Sequence, residues 1–479
     1  MAPLIKNTFF SSLTNALQSL ANILIVVLLA RPLGTAEFGR LLLAISFSAI
    51  FAIMVEFGFK WYATKEVSQD PGRALGIAGE IFNAQIILGL GATLLAALTV
   101  HLLGYPLRTV AVIAVIWVSA VLIAFTQVTR SLFRGLDLFP SDTALTLVLF
   151  LATLLALLPP LFLHPTVIAF ALAILAARTI YFAAGRLLFA RKVGRISPRF
   201  SIPHGGRLLA ATLAYGMQIM IFRLLLEWNT IVLYQYGGNV GVGIYQAAFR
   251  FVMATMMVSD ILLQAFFPVI SRLAVSDRRR FVKTSTSLNR YLLSGGAYIA
   301  GAFFIFAGEL VRWVFGAEYA PAVPVLKILA FSVLGHFLAS APAIALIALN
   351  RQGARARASA MVLAFNAAVA FVLIPAMGAR GAALAMGATF VLHASLYHLL
   401  LFKELRRLFF DLRSLAAVVL AGCGALAAWL LKDISLLLGL TAYAALGIAL
   451  FLVATTGAEK KEMLQALRSP AAALAEVEP

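Results

Sequence analysis

Long apolar runs, separated by short segments that contain charged residues, glycine or proline, follow one another along the whole chain. Most runs are about 20 residues or longer, which is the length that an α-helix needs to cross the hydrocarbon core of a bilayer. The pattern therefore predicts fourteen transmembrane helices. Their predicted limits are 9–30, 41–64, 80–103, 109–130, 143–163, 167–190, 208–234, 243–270, 288–307, 325–349, 358–374, 381–401, 415–431 and 436–455.

The composition excludes two broad classes of protein. Of the 479 residues, 62% are hydrophobic and only 12% are charged, whereas a soluble domain has roughly 25% charged residues. No water-soluble fold buries that much apolar surface, so we exclude a soluble enzyme and a disordered chain. The single cysteine, Cys423, cannot form an intrachain disulfide or a cysteine-based metal cluster. We predict an all-α, polytopic integral membrane protein.

Basic residues are distributed unequally between the two sides of the predicted topology. With the N-terminus inside, 27 of the 38 lysines and arginines lie in inside segments and 6 lie in outside segments. This asymmetry follows the positive-inside rule and predicts that both termini and the basic segment 192–207 are cytoplasmic. The net charge of +19 is then a consequence of topology, and no nucleic-acid partner is expected.

A weak internal repeat relates two parts of the chain at an offset of 204 residues. The offset places Gly34 onto Gly238 and the intramembrane carboxylate Glu56 onto Asp260. Because an offset of six spans preserves orientation, we predict two pseudo-symmetric six-helix bundles related by an axis along the membrane normal, plus two extra C-terminal helices. The predicted domains are an N-terminal bundle (1–191), a basic linker (192–207), a C-terminal bundle (208–402), helices thirteen and fourteen (403–456) and a cytoplasmic tail (457–479).

Polar side chains inside spans indicate a functional site, because each is costly in hydrocarbon unless it faces water or a partner. Helix two carries Glu56 and Lys60 four residues apart, and helix seven carries Arg223 and Glu227 at the same spacing. Two longer stripes at helical spacing are Ser11, Asn15, Gln18 and Asn22 on helix one, and Gln246, Arg250, Met253, Met257, Asp260 and Gln264 on helix eight. We predict that these faces line one polar cavity between the bundles, with a basic floor of Lys60, Arg223 and Arg250.

An alternative interpretation treats the intramembrane charges as pairs that hold helices together. The two oppositely charged pairs at a spacing of four residues could each be such an ion pair. Arg250 fits this alternative least, since Asp260, the nearest carboxylate on its face, is about 15 Å away along the helix axis. Asp260 and Glu56 are also candidate ion-coupling residues. Asp260 is the favoured proton carrier, because Glu56 has the cation of Lys60 one turn away.

Sequence motifs give no indication of catalysis. The chain contains no H-E-x-x-H, Walker-type or G-x-S-x-G motif, and the longest predicted outer loop is about 308–324. We therefore predict that the protein is not an enzyme and uses neither a cofactor nor a metal. Six histidines are scattered along the chain, and we expect them in loops or at membrane interfaces: His101, His164, His204, His336, His393 and His398.

Three segments carry motifs that occur together in one family. They are Ala30-Arg31-x-Leu33-Gly34-x3-Phe38-Gly39, Val240-Gly241-x-Gly243-x-Tyr245-x-Ala247-Ala248-x-Arg250, and 346–351 followed by Asn366, Leu373-Ile374-Pro375, Gly378 and Gly381-Ala382-Ala383. In order and spacing, these motifs resemble the polysaccharide transporter family of the multidrug/oligosaccharidyl-lipid/polysaccharide exporter superfamily. The resemblance extends over nearly the whole chain.

The resemblance implies a flippase that moves an undecaprenyl-diphosphate-linked oligosaccharide, an O-antigen or exopolysaccharide repeat unit, across the bacterial inner membrane by alternating access. The residues expected to bind the diphosphate are Arg250, Arg223 and Lys60, and those expected to hydrogen-bond sugars are Asn15, Gln18, Gln246 and Gln264. The expected partners are the lipid-linked glycan, membrane lipid, and polysaccharide polymerase and glycosyltransferase proteins. Two alternatives stay open: an ion-coupled drug or cation antiporter of the same superfamily, and a polysaccharide polymerase or ligase.

Overall fold

The computed structural model describes residues 2–163, 165–196, 202–402, 412–432 and 434–454. Within these ranges the regular structure is helical, without strands, which confirms the all-α prediction. The fourteen α-helices are α1 (Ala2–Glu56), α2 (Phe59–Gln69), α3 (Ala74–Leu102), α4 (Leu107–Gly135), α5 (Phe139–Phe162), α6 (Val167–Lys192), α7 (Ile202–Ser276), α8 (Arg278–Ile305), α9 (Ala307–Val314), α10 (Ala322–Ala348), α11 (Gln352–Met377), α12 (Ala379–Leu401), α13 (Leu412–Lys432) and α14 (Leu436–Ala454).

The helices account for the predicted spans, although not one to one. In the part of the chain that the structure describes, nine helices are long and apolar enough to cross a membrane, or up to ten if α8 and α9, bent by 76°, form one span. Two of the nine are much longer than a bilayer requires, because α1 and α7 each run through two predicted spans. The chain is therefore a polytopic membrane protein, and its helices overlap the predicted spans.

Each of the two long helices turns at a glycine. Gly34 in α1 has φ 66° and ψ 176°, and Gly238 in α7 has φ 57° and ψ −161°. This region of backbone conformation is essentially restricted to glycine, since a Cβ atom would be strained there. The two glycines are the pair that the 204-residue repeat aligns. The shared conformation confirms the repeat at this position. It also explains how each long helix turns between its two apolar segments.

The chain forms two compact units, Met1–Tyr234 and Gln235–Pro479. The first part of α7 belongs to the first unit, where the ring of Tyr234 packs edge-on against Tyr105 at 4.9 Å between centroids. The units therefore divide inside α7, whereas the domain limits predicted from the repeat follow the linker at 192–207. Part of that linker, 197–201, and the predicted tail lie outside the described residues, so the predicted domain limits stay a prediction.

The core of the first unit is built from six helices, since Leu208 of α7 joins residues of α2 to α6. Phe59 of α2, Ile81 of α3, Leu132 of α4, Leu145 of α5 and Phe189 of α6 are all buried in one cluster. Inside a membrane such contacts stabilise by close packing and not by removal from water, because lipid is as apolar as the side chains. This core fixes the ends of α2, α4 and α5 that carry the polar residues described below.

In the second unit α10 packs between α8 and α12, α11 packs on α12, and α13 and α14 pack on α8. The ring of Tyr443 on α14 stacks on the ring of Tyr298 on α8, with 4.6 Å between centroids. The hydroxyl of Tyr443 donates a hydrogen bond to the backbone carbonyl of Tyr298. Gly301, one turn further along α8, makes room for the Tyr443 side chain. Lys432, the last residue of α13, donates from Nζ to the carbonyl of Ile305 at 2.7 Å. These contacts tie the last two helices to α8 at the bend.

Candidate functional site

A two-residue break interrupts the second transmembrane segment. Phe57 has φ 29° and Gly58 has φ 77°, so α1 ends at Glu56 and α2 begins at Phe59. A positive φ is unusual for phenylalanine, and such strained backbone persists only where the surrounding structure holds it. Glu56 and Lys60, the two charged residues predicted on one helical face, therefore lie on opposite sides of this break.

The break is supported by a buried glutamine on α3. Gln85 donates from Nε2 to the carbonyl of Val55 and to the carbonyl of Ala124, both at 3.1 Å. Val55 lies just before the break. In a continuous helix its carbonyl would accept a hydrogen bond from the N–H four residues further on, but carbonyls at a helix end lack that partner. In a membrane, such a carbonyl needs a partner from the protein. Gln85 supplies that partner and links α3 to both α1 and α4.

The end of α2 lies unusually close to the end of α4. A methyl group at Gly135 would lie only 3.0 Å from the Thr64 carbonyl and from Cβ of Val67. The hydroxyl of Thr64 also contacts the carbonyl of Ser131 at 3.2 Å. Only a residue without a side chain at position 135 allows this approach. As a result, the turn of α2 that starts at Lys60 faces the last two turns of α4.

A buried carboxylate joins two arginines between α4 and α5. Asp142, in the first turn of α5, accepts a hydrogen bond from Nε of Arg130 and another from Nε of Arg134, the second at 2.6 Å. The side chains of Arg130 and Asp142 are 3% and 1% exposed, and that of Arg134 is 36% exposed. Arg130 also donates from Nη1 to the amide oxygen of Gln18 on α1, at 3.3 Å. Buried charges of this kind are tolerated only when they are paired.

The first part of α7 approaches the break in the second segment. A methyl group at Gly216 would lie 3.2 Å from the carbonyl of Phe57. Two turns further along α7, Arg223 is exposed, and its guanidinium interacts electrostatically with the ammonium of Lys60. α7 therefore brings a further cation to the break.

Four cations and two carboxylates are linked by electrostatic interactions in this part of the first unit. The electrostatic neighbours of Lys60 are Glu56, Arg223, Arg134 and Arg130, and Asp142 joins the last two. We call these six residues the basic cluster. It unites Lys60, Arg223 and Glu56, which the sequence predicted as site residues, and places Gln18 beside them. The cluster keeps an excess of positive charge.

The alternative of internal ion pairs is wrong at both predicted positions. No nitrogen–oxygen contact within 4.0 Å joins Glu56 to Lys60 or Arg223 to Glu227, and all four residues are described. The first pair is separated by the break at Phe57, so the i,i+4 geometry of a continuous helix does not apply. In the second pair Glu227 is buried while Arg223 is exposed, so the two side chains lie in different surroundings.

The predicted stripe on the second half of α7 belongs to the second unit. Gln246 is fully buried, Arg250 is half-buried, and Asp260 and Gln264 are exposed, so the stripe emerges from the unit's interior along the helix. Arg250 contacts the sulfur of Met253 through Nη1 at 3.6 Å. The side chain of Asn15 on α1 lies outside the described residues, so its predicted role stays a prediction.

The expectation that the histidines lie in loops or at interfaces is wrong for His336 and His393, whereas His398 lies in the last turn of α12. His336, His393 and His398 are in α10 and α12, and the second and third of these are buried. His336 shares a hydrogen bond of 3.0 Å with the hydroxyl of Ser259, next to Asp260. The Nδ1 atom of His398 is hydrogen-bonded to the carbonyl of Ala394 in its own helix at 2.8 Å. No sequence motif indicates that His393 and His398 are buried.

Sequence reasoning missed Arg130, Arg134 and Asp142 as site residues. The two arginines lie at the end of α4, where basic residues normally report membrane orientation. Asp142 lies at the start of α5, where a carboxylate is favoured by the helix dipole. The sequence did contain one indication of this cluster, because a carboxylate and two arginines near one predicted turn can form ion pairs. Their burial, however, depends on the packing of α1 against α4 and α5.

The fold and the basic cluster together define a polytopic membrane protein with a partly buried, positively charged site among its helices. The chain belongs to the family described as polysaccharide biosynthesis protein, whose sequence profile matches residues 4–274. This match confirms the resemblance found in the sequence motifs. The matched range contains all but the outermost residues of the two long helices and every member of the basic cluster.

Individual relatives agree with this assignment. A probable low-salt glycan biosynthesis flippase, Agl15, from Haloferax volcanii is 29% identical over 161 residues. That match spans 33% of this chain and 33% of the relative, so it covers about a third of the length of each.

The fold resembles solved structures over most of the chain. The lipid II flippase MurJ in an inward closed conformation aligns with a TM-score of 0.71 and 14% identity, covering 92% of this chain and 98% of that chain. An inward-facing MATE multidrug resistance transporter of the MOP superfamily aligns with a TM-score of 0.66 and 15% identity, covering 82% and 96%. At these identities the likeness shows a shared fold alone.

Proposed function

We propose that the protein is a flippase that moves an undecaprenyl-diphosphate-linked oligosaccharide, an O-antigen or exopolysaccharide repeat unit, from the cytoplasmic to the periplasmic leaflet. The observation that carries the proposal is the basic cluster, in which four cations meet two carboxylates inside a membrane protein of a polysaccharide biosynthesis family. A site with excess positive charge is suited to an anionic group that cannot cross hydrocarbon unaided.

The chemistry of the cluster matches a diphosphate in particular. Guanidinium groups bind phosphate oxygens through two parallel hydrogen bonds, whereas an ammonium acts as a compact point charge. Arg223 and Arg134 are exposed enough to meet a ligand, and Lys60 interacts electrostatically with both arginines and with Glu56. Under this proposal these three cations bind the diphosphate.

The position of the cluster fits loading from the cytoplasmic leaflet. Arg130 and Arg134 lie in the last two turns of α4 and Asp142 lies in the first turn of α5, so these three are near one end of the first unit. Lys60, in the first turn of α2, is an electrostatic neighbour of both arginines. The distribution of basic residues predicts that this end is cytoplasmic. Lipid-linked glycans are assembled on the side where the cluster would receive them.

Residues of the second unit complete the proposal. Arg250 and Gln246 would contact the diphosphate and sugars in another conformation of the transport cycle, with Gln264, Gln18 and Asn15 as further sugar contacts. Substrate would pass between the states by alternating access. Asp260 and Glu56 are proposed to couple the cycle to an ion gradient.

The excess positive charge favours this proposal over a cation or drug antiporter. A site that binds cations needs unpaired carboxylates, whereas Asp142 is shared by two arginines. A polymerase or ligase would need catalytic groups in its outer segments. There the described residues form the short helix α9 and one further turn before α10, with no motif for glycan chemistry.

Neutral substitutions in the cluster test the proposal. We expect Lys60→Gln and Arg223→Gln each to lower transport of a lipid-diphosphate-linked oligosaccharide by about 10- to 150-fold, the worth of one charge-assisted hydrogen bond. Lys65→Gln, at an exposed lysine one turn further along α2, is the matched control and should transport normally. The measurement is flipping of a fluorescent lipid-linked oligosaccharide in proteoliposomes, per folded molecule. Normal flipping in both variants would overturn the proposal. The proposal would also be overturned if the wild-type protein exported a cationic dye and both variants lost that activity.

A further inference from the structure

Asp142 contacts both of its arginines in the same way, through the Nε atom. One carboxylate oxygen accepts from Nε of Arg130, and the other accepts from Nε of Arg134. A guanidinium group has five N–H donors, and those on Nη1 and Nη2 form the terminal edge that binds phosphate bidentately. A contact through Nε therefore holds the group while leaving its terminal edge for another ligand.

The two arginines differ in how they are held. Arg130 is 3% exposed, and its Nη1 atom donates to Gln18 at 3.3 Å and to Gln127 at 3.4 Å. Its Nη1 atom is thus engaged by the protein and its Nη2 atom is buried, so its terminal edge is not open to a ligand. Arg134 is 36% exposed, and in the described part of the chain its hydrogen bond to Asp142 is made by Nε. Arg130 anchors the carboxylate, and the carboxylate in turn holds Arg134.

We infer that Asp142 is a positioning residue, which orients Arg134 so that the terminal edge of its guanidinium binds the substrate diphosphate. The inference rests on the proposed function and deepens it by naming the edge of Arg134 that meets the diphosphate and by assigning an orienting role to Asp142. Neither Asp142 nor Arg130 contacts the substrate. The charge of Asp142 balances one arginine, and its position fixes the direction of the other.

Asp142→Glu separates positioning from charge balance, because it keeps the carboxylate and moves it outward by one methylene group. The probe is undecaprenyl diphosphate, titrated against purified protein and measured by native mass spectrometry. We expect Asp142→Glu and Arg134→Gln each to weaken binding of undecaprenyl diphosphate by about 10-fold or more. Their effects should not be additive. In the Arg134→Gln background, Asp142→Glu should change affinity by roughly two-fold or less, since the residue it orients is already absent.

Controls distinguish this inference from the function on which it rests. Asp277→Glu changes an exposed aspartate that also pairs with an arginine, Arg280 at 3.4 Å, and should leave binding unchanged. Unchanged binding in Asp142→Glu, or additive losses in the double variant, would overturn the positioning role while leaving the flippase proposal intact. If the wild-type protein does not bind undecaprenyl diphosphate, both ideas fail together.

A second variant keeps the test decisive should Asp142→Glu fail to fold. Arg134→Lys retains the charge at a partly exposed side chain but removes the terminal edge and the Nε donor. We expect it to lose undecaprenyl diphosphate affinity by about 10-fold, with a smaller loss for undecaprenyl monophosphate. Wild-type affinity for the diphosphate in Arg134→Lys would overturn the inference without any measurement on position 142.

Discussion

Replacing Gln85 by methionine should destabilise the first unit, because the variant keeps the length of the side chain but loses both hydrogen bonds. The carbonyl of Val55, at the helix break, would be left without its donor, at a cost of about 1–3 kcal/mol. The carbonyl of Ala124 lies inside a continuous helix and loses only an additional bond, worth about 0.6 kcal/mol by the average for membrane proteins. The expected loss in the free energy of unfolding is therefore about 2–4 kcal/mol.

Unfolding of the purified protein by dodecyl sulfate in mixed micelles measures this loss. Gln69→Met is the matched control, since Gln69 is exposed at the end of α2, and its substitution should change stability by less than about 0.5 kcal/mol. A loss of equal size in the two variants would mean that the helix break does not depend on Gln85. A loss below about 0.5 kcal/mol in Gln85→Met would refute the reasoning on its own.

Three further predictions concern the backbone, the topology and the coupling. Gly238→Ala should cost about 1–3 kcal/mol because alanine is strained at φ 57°, while Gly353→Ala, in open space on α11, should cost nothing measurable in the same unfolding assay. A cysteine at Gly206, in a Cys423→Ser background, should react with impermeant maleimide from the cytoplasmic side only; labelling from outside would reverse the predicted orientation. Asp260→Asn should remove the pH dependence of transport in proteoliposomes, and an unchanged pH profile would exclude its role in proton coupling.

The extent of the helices was predictable because long apolar runs leave few alternatives in a membrane. The turn at Gly238 was also predictable in part, since the 204-residue repeat aligns Gly238 with Gly34. Lys60 and Arg223 could be singled out because a charge in the middle of an apolar run is conspicuous. These signals are local or periodic, and a single sequence contains them.

The rest of the site depends on packing between distant segments. Arg130 and Arg134 resemble ordinary residues at a helix end, and only the contact with Asp142 across the α4–α5 turn makes them part of a buried cluster. The expected pair of Glu56 and Lys60 failed for a related reason. An i,i+4 pair requires a continuous helix, and the helix is broken at Phe57 and Gly58. The residue types do not predict this break, because phenylalanine rarely adopts a positive φ.

The contacts of α13 and α14 with α8 limit how proteins of this fold can gain or lose their last two helices. Tyr443 stacks on Tyr298, and Lys432 donates to the carbonyl at the end of α8. A chain that ended after α12 would expose this carbonyl and the surface around Gly301 to lipid. Gain or loss of the last two helices in evolution therefore requires matching substitutions on α8, so the pair cannot be exchanged between relatives as an independent module.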